Sequence, residues 1–230
     1  MKNFKELDSK FQNSEVEYYY NILRKKKFSL FIKYIFDRIL ALILLVFLSP
    51  VLIFIAIWIK IDSPGEVFYR QKRVTTYGRE FKIYKFRTMV KNADKLGSAV
   101  TLQDDPRISK VGKKLRNLRI DELPQLINIL LGDMSFVGTR PEVAKYVSRY
   151  SREMYATLLL PAGVTSTASI MYKDENEELD KYLLEGMNVD DAYVDKILPE
   201  KMKYNLEYLE NFSFINDIKI MINTLLGVLK

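Results

Sequence analysis

The stretch Ile39–Ile59, ILALILLVFLSPVLIFIAIWI, holds no charged residue over about 21 positions. That length suits the hydrocarbon thickness of a bilayer. A helix apolar on every side needs either a large protein interior or lipid around it, and a chain of 230 residues offers little of the former. The fold must therefore give this segment a membrane environment. The preceding residues 1–28 are polar and end in Arg24-Lys25-Lys26-Lys27. The apolar run comes too late and is too long for a secretory signal peptide. The basic cluster reads as cytoplasmic and close to a membrane surface.

Two features complicate a simple span. Ser49-Pro50 stands at the midpoint, where proline removes one helical hydrogen bond and crowds the preceding turn. Cations also flank both sides: Lys25, Lys26, Lys27, Lys33 and Arg38 before the run, and Lys60, Arg70, Lys72 and Arg73 after it. Spanning helices usually keep positive charge on one side. A helix that enters, breaks at Ser49-Pro50 and returns to the same face fits this pattern, with the serine hydroxyl serving the freed backbone groups. On these residues alone, a spanning helix with a proline kink fits equally well.

Composition narrows the chemistry. The net charge is +7 and the pI about 9.3, which favours anionic partners. With no cysteine and no histidine, disulfides, thiolate metal sites, His-ligated zinc and His-based nucleophilic catalysis are all excluded. Carboxylates, Lys, Arg, Tyr and a hard metal held by oxygen remain.

Beyond the apolar run, Val67–Val74 and Glu80–Arg87 read as two strands joined by a polar turn at Gly78. Phe81 and Ile83 are expected on the inner face of this basic hairpin, with Lys82 and Lys85 on the outer. Asp104-Asp105-Pro106 marks a turn, and Lys110–Leu118 a basic helix. The next stretch, Arg116-Asn117-Leu118-Arg119-Ile120-Asp121-Glu122-Leu123-Pro124-Gln125, is the strongest candidate site. It sets two arginines and two adjacent carboxylates at the mouth of a helix expected over Glu122–Leu131, with Asp121 as N-cap and Gly132 as the stop. An N-capping aspartate beside arginines should stay ionised at neutral pH, fit to serve as nucleophile or metal ligand in phosphate chemistry. The simpler alternative, that Asp121 is only a cap, stands beside it. Arg140 precedes Pro141 and a helix expected over Glu142–Leu159, a place for an anion. Helices are further expected over 174–186 and 190–209. A last helix capped by Ser213 carries Ile215, Ile218, Met221, Ile222, Leu225 and Leu226 on its apolar side, expected to pack on the core rather than lie in the interface.

Several motifs stand in one order: the basic-flanked apolar helix with Ser49-Pro50, Lys85-Phe86-Arg87-Thr88-Met89, Asp105-Pro106-Arg107, Arg119-Ile120-Asp121-Glu122-Leu123-Pro124-Gln125, and Gly132-Asp133-Met134-Ser135-Phe136-Val137-Gly138 with Arg140-Pro141. This set resembles the bacterial sugar transferase family, the small monotopic phosphoglycosyl transferases acting on polyprenyl phosphate. The resemblance covers roughly residues 30–170. It implies an α+β, mainly helical fold, divided as a cytoplasmic segment (1–28), a re-entrant membrane helix-break-helix (29–60) and a cytoplasmic catalytic domain with a small β-hairpin (61–230). It implies transfer of a sugar 1-phosphate from a UDP-sugar to undecaprenyl phosphate with release of UMP, as the first membrane step of surface glycan assembly. In that scheme Asp121 is the nucleophile and Mg²⁺ ligand, and Glu122 its partner. Arg116, Arg140, Arg87, Lys85 and Arg119 hold phosphates, and Ser49 and Pro50 form the helix break. The expected location is the bacterial cytoplasmic membrane, in contact with phospholipid, with the catalytic domain facing the cytoplasm; the scheme has room for a homodimer.

Two departures mark this sequence. Thr139 stands where the family usually has proline, and Pro161-Ala162-Gly163-Val164-Thr165-Ser166 replaces the more usual Pro-Gly-Ile-Thr-Gly, so the loop is expected to suit a different sugar. No multi-helix membrane domain precedes the motifs, which is expected of a minimal catalytic form. A non-catalytic membrane scaffold is the alternative, disfavoured by the intact Asp121-Glu122 pair. A nucleic-acid binder is not expected, since no nucleic-acid motif accompanies the charge.

Overall fold

The computed structural model describes residues 1–90, 93, 105–172 and 175–228. Asp104 of the acidic turn lies outside the described residues. The fold is mainly helical, with two small two-stranded sheets.

The first 28 residues carry core side chains that their polar composition hides. Asn13 accepts a hydrogen bond from the Val16 N–H and starts α1 (Ser14–Lys25). Val16, Tyr19, Tyr20 and Leu23 of α1, with Leu7 and Phe11 before it, pack into the largest core.

The long helix α2 (Lys27–Asp62) follows. The break expected at Ser49-Pro50 does not interrupt it. Pro50 has no N–H for the Val46 carbonyl, and the Ser49 hydroxyl donates to that carbonyl at 2.8 Å, so the orphaned acceptor is satisfied locally. Along one side α2 is bare: Phe47 is 77% exposed and Val46 68%. The other side grips the rest of the chain on both halves. In the first half Lys33, Asp37 and Ala41 are buried; in the second, Ile55 and Ile59 are.

Next comes the hairpin of β1 (Phe68–Val74) and β2 (Glu80–Phe86), antiparallel, with Gly78 at a φ of 77° in its turn. Phe81 and Ile83 face inward as expected. Lys85 was expected outside, yet it shares their parity and also turns inward, which the strand period of two requires.

The helix α3 (Lys110–Asn117), capped by Ser109, packs Val111 and Leu115 against Ile55, Ile59 and Phe86. A 3-10 turn (Ile120–Glu122) leads to α4 (Gln125–Leu131), which stops at Gly132 with a φ of 82°. Leu126 and Ile129 of α4 meet Ala41, Phe81 and Ile83. The buried Asn128 of α4 accepts from the Tyr84 N–H at 2.8 Å and donates to the Lys82 carbonyl at 3.0 Å.

Sequence reading missed a second sheet. β3 (Met134–Val137) pairs in parallel with β4 (Ala162–Thr165). Between them the expected continuous helix over 142–159 is replaced by α5 (Ala144–Val147) and a 3-10 segment (Glu153–Leu159). Parallel pairing needs a crossover of about a dozen residues or more, and these two short segments with their turns supply it.

The remaining helices are α6 (Thr167–Met171), α7 (Glu175–Leu184), α8 (Val189–Ala192) with a π-turn, α9 (Leu198–Glu210) and α10 (Phe214–Val228). Ser213 caps α10 as expected. The apolar side named from the sequence packs only in part: Met221 lies against the core and Ile218 is half-buried, but Ile215 is 69% exposed and Leu225 66%, while Asp217, Ile220 and Thr224 face inward. The reason is an ion network. The Lys33 ammonium donates to Asp217 at 2.6 Å and to the Val137 carbonyl at 2.9 Å, and lies 3.6 Å from Asp37. Ser135 and Tyr208 donate to Asp37 and Asp217 at 2.6 and 2.8 Å. Burial pushes the Asp217 carboxyl up, with Lys33 opposing.

Removing one member of a buried ion network leaves the others uncompensated, at a cost of about 3–5 kcal/mol. Lys33→Met should therefore lower the melting temperature of the detergent-solubilised protein sharply, while Lys27→Met, on the exposed side, should not. Equal melting temperatures for the two variants would show that the network does not hold α2.

Candidate active site

Four elements converge on Asp121 and Glu122. β2 delivers Lys85, α3 delivers Arg116, the 3-10 turn carries the two carboxylates, and the segment after β3 brings Arg140. Gly112 lets α3 come close: a Cβ there would stand 2.0 Å from the Thr88 carbonyl oxygen. Arg119 reverses the chain between α3 and the turn in the left-handed region (φ 53°), which is uncommon for a non-glycine residue. The expected N-cap role of Asp121 is not found. Asp121 lies inside the 3-10 turn, and Pro124 precedes α4 without a side-chain cap.

The two carboxylates live in different surroundings. Glu122 is fully engaged: Lys85 Nζ donates to its Oε1 at 2.7 Å, Arg140 Nη2 to the same oxygen at 2.6 Å, and Arg140 Nη1 to Oε2 at 3.3 Å. Burial alone would raise its carboxyl, but Arg140 and Lys85 outweigh that and hold it well below the usual glutamate value. Glu122 in turn raises the Arg140 guanidinium. Burial pulls Lys85 below the usual lysine value, with Glu122 opposing. Asp121 is 8% exposed and takes part in no hydrogen bond or ion pair among the described residues. Burial and then the Glu122 charge push its carboxyl above the usual aspartate value, against Lys85, Arg116 and Arg140.

Of the expected phosphate-binding residues, Lys85, Arg116 and Arg140 gather around Asp121. Arg116 is steadied by Thr88, whose hydroxyl lies 3.0 Å from its Nε. Arg87 points elsewhere: its guanidinium donates to the Ser63 carbonyl at 2.7 Å and the Ser63 hydroxyl at 2.9 Å. It pins the loop after α2, and Gly65 leaves it room. Arg119 is exposed and does not enter the cluster. Ser49 and Pro50 lie in the middle of α2, apart from these residues. Sequence reasoning passed over Thr88, although it sits in a quoted motif. It also passed over the wall behind Arg140, where Tyr193 donates to Glu142 at 2.6 Å and Lys201 to Glu175 at 2.7 Å. A signal for the missed ion network was present: Lys33 and Asp37 stand four apart in an apolar helix.

No group of three or more acidic side chains that could hold a metal occurs among the described residues. One partly enclosed carboxylate with open coordination remains, ringed by cations, beside a second carboxylate already neutralised. Such an arrangement suits substrates that bring their own phosphates.

The chain belongs to the bacterial sugar transferase family, whose model matches residues 28–230. It is 35% identical to a UDP-N-acetylgalactosamine-undecaprenyl-phosphate N-acetylgalactosaminephosphotransferase of Aeromonas hydrophila, over 86% of this chain and 44% of that protein. It is 36% identical to a UDP-glucose:undecaprenyl-phosphate glucose-1-phosphate transferase of Escherichia coli K12, over 82% and 38%. The chain thus spans less than half the length of these two relatives. It is also 31% identical to the exopolysaccharide production protein ExoY of Sinorhizobium fredii, over 84% of this chain and 83% of that one.

The electrostatics fix an order of titration. Asp121 should titrate above the ordinary aspartate value and Glu122 well below the ordinary glutamate value. Glu122→Gln removes a like charge and frees two cations, so it should lower the Asp121 value. Carboxyl-carbon NMR titration of the wild type and this variant would check both shifts; a rise in the Asp121 value would contradict the assignment.

Proposed function

We propose that the protein transfers a sugar 1-phosphate from a UDP-sugar to undecaprenyl phosphate, in two steps through a phosphosugar carried on Asp121. The observation that carries this reading is the contrast at the centre: Glu122 is bound by Lys85 and Arg140, while the neighbouring Asp121 carboxylate has no hydrogen-bond or ion-pair partner among the described residues. A carboxylate held desolvated and without hydrogen bonds is a stronger nucleophile than a solvated one. In the first step an Asp121 oxygen attacks the phosphorus that bears the sugar. The bond to the bridging oxygen of the diphosphate breaks, and UMP leaves with that electron pair. In the second, a phosphate oxygen of the lipid acceptor attacks the same phosphorus, the acyl–phosphate bond breaks, and Asp121 is restored. Arg116, Arg140 and Lys85 offset the negative charge gathering at the phosphorus. Glu122 holds Lys85 and Arg140 in place for this.

Mg²⁺ fits the donor set, because such ions bind through one or two carboxylates plus substrate phosphates, and Asp121 has free oxygens. Bound there it would supply Lewis-acid stabilisation of the diphosphate. Both halves of α2 pack on the same domain, Lys33 at Asp217 and Ile59 at Phe86 and Leu115. A helix crossing the bilayer would carry one half away from that domain. This supports a monotopic arrangement at the cytoplasmic face, where the acceptor phosphate lies. The names of relatives support the donor and acceptor classes, with N-acetylgalactosamine and glucose both represented.

UMP release from a panel of UDP-sugars, with and without undecaprenyl phosphate, tests the reaction. One donor should give acceptor-dependent release in the wild type, and Asp121→Asn should lose at least about a thousandfold of it while still partitioning to membranes. Undiminished release by the variant would remove Asp121 from the chemistry. Chelation should abolish release and added Mg²⁺ should restore it. The absence of native cysteine permits a clean topology test. Single cysteines at Asn21 and Ser63 should both react with an impermeant maleimide from the cytoplasmic side of inverted vesicles. Opposite accessibility would establish a span.

A further inference from the structure

A cleft of about 520 Å³ opens at the far end of α4 from Asp121. Its walls are the first half of α2, the hairpin turn, Gly132 to Ser135, and Leu159 to Pro161. The interior is mostly apolar, lined by Leu30, Tyr77, Met134 and Leu160 among others. Its mouth lies beside Phe31 and Tyr34, which are 60% and 54% exposed and belong to the outer face of α2. The cleft is therefore continuous with the apolar surface that α2 presents to its surroundings.

Charge is placed at the rim. Lys27 is exposed and has no carboxylate partner among the described residues. Arg38 lies over the Tyr34 ring, 3.3 Å from its centroid, and donates through Nη1 to the Tyr34 carbonyl at 3.1 Å, which leaves the rest of its fork available. Gly132 makes room for it, since a Cβ there would stand 2.1 Å from Arg38 Nη2. The carboxylate in the cleft, Asp37, is bound by Ser135 and Lys33 and does not compete for these cations. Met1 also lines the cleft. It is held there because the Lys2 N–H donates to the Tyr77 hydroxyl at 3.1 Å and the Tyr20 hydroxyl donates to the Lys2 carbonyl at 3.0 Å. Residues 1–27 lie outside the matched family region, so Met1 and Lys27 belong to a part of this wall that the family model does not cover.

We infer that the cleft binds a membrane phospholipid with an anionic headgroup, an acyl chain lying among Leu30, Tyr77 and Leu160 and the phosphate meeting Arg38, with Lys27 about three turns away on α2 adding to the positive charge of the rim. An apolar cavity of this size with cations at a lipid-facing mouth matches that chemistry. The lipid acceptor is the weaker candidate, because its phosphate must reach Asp121 and α4 separates the two places. The inference rests on the reading that the bare face of α2 meets a bilayer.

The full chain, purified in detergent, would be titrated with phosphatidylglycerol, phosphatidylcholine and undecaprenyl phosphate, with bound lipid counted by native mass spectrometry and flotation with vesicles run in parallel. The wild type should retain one phosphatidylglycerol in preference to phosphatidylcholine. Arg38→Gln should weaken that retention about tenfold, as loss of a charge-assisted phosphate contact does. Leu30→Trp should fill the cleft and abolish retention, with the melting temperature as the check on folding. UMP release and the KM for the acceptor should be unchanged in Arg38→Gln. Equal retention of phosphatidylcholine, wild-type retention by Arg38→Gln, or displacement by undecaprenyl phosphate would each overturn the inference. Floating protein that holds no phosphatidylglycerol would sink this inference alone, whereas failure to float would sink the membrane reading with it.

Discussion

A long apolar helix is useful to a small protein only if one side of it is gripped and the other left bare. In this chain the grip begins with a charge buried on purpose. Lys33 enters the interior from α2 and finds Asp217, the Val137 carbonyl and Asp37 waiting. The three contacts come from α10, β3 and α2 itself, so one ammonium fixes three elements in register. Desolvating it is expensive, and only the full set of partners offsets the cost. Once the first half of α2 is seated, Ala41 meets α4 and the hairpin, and Ile55 and Ile59 meet α3. The elements are thus laid out along the helix largely in the reverse of their order in the sequence, with α10 and β3 at Lys33, α4 at Ala41 and α3 at Ile55 and Ile59.

Charge balance at the centre follows from that layout. Lys85 comes inward on β2 because α4 and α2 cover that face of the hairpin, and Arg140 arrives at the end of the parallel β3–β4 pair. Both are taken up by Glu122, whose carboxyl they hold well below the usual glutamate value. Asp121, one residue away, receives their field but none of their hydrogen bonds. A one-residue offset on a tight turn is enough to give two identical functional groups opposite shifts.

The sequence was most readable where residue order alone carries the signal. The uncharged run, the hairpin with Gly78 and the stop at Gly132 all stand where periodicity and turn chemistry placed them. It was least readable where partners come from far away. Lys33 and Asp217 are 184 positions apart, and neither announces the other. The parallel strands are four residues each, too short to show alternation, and the crossover between them was mistaken for one helix. The face of α10 was misjudged because its buried stripe runs through the polar Asp217 and Thr224 as well as Ile220. Arg87, in the Lys-Phe-Arg-Thr-Met run, has contacts that residue order does not announce: its guanidinium donates to the Ser63 and Pro64 carbonyls.

Asn128, polar and buried in the middle of α4, has a consequence for how molecules of this protein behave beside one another. Its carboxamide meets the Tyr84 N–H and the Lys82 carbonyl, two groups on the side of β2 that faces away from β1. A hairpin of two strands has two open edges, and an open edge is a template for a strand from another chain. Here a single side chain imitates the next strand and closes the sequence-distal edge with the same donor and acceptor that a neighbour would have offered. Wherever copies of the chain lie close together, an edge that cannot recruit its neighbour keeps each copy to itself.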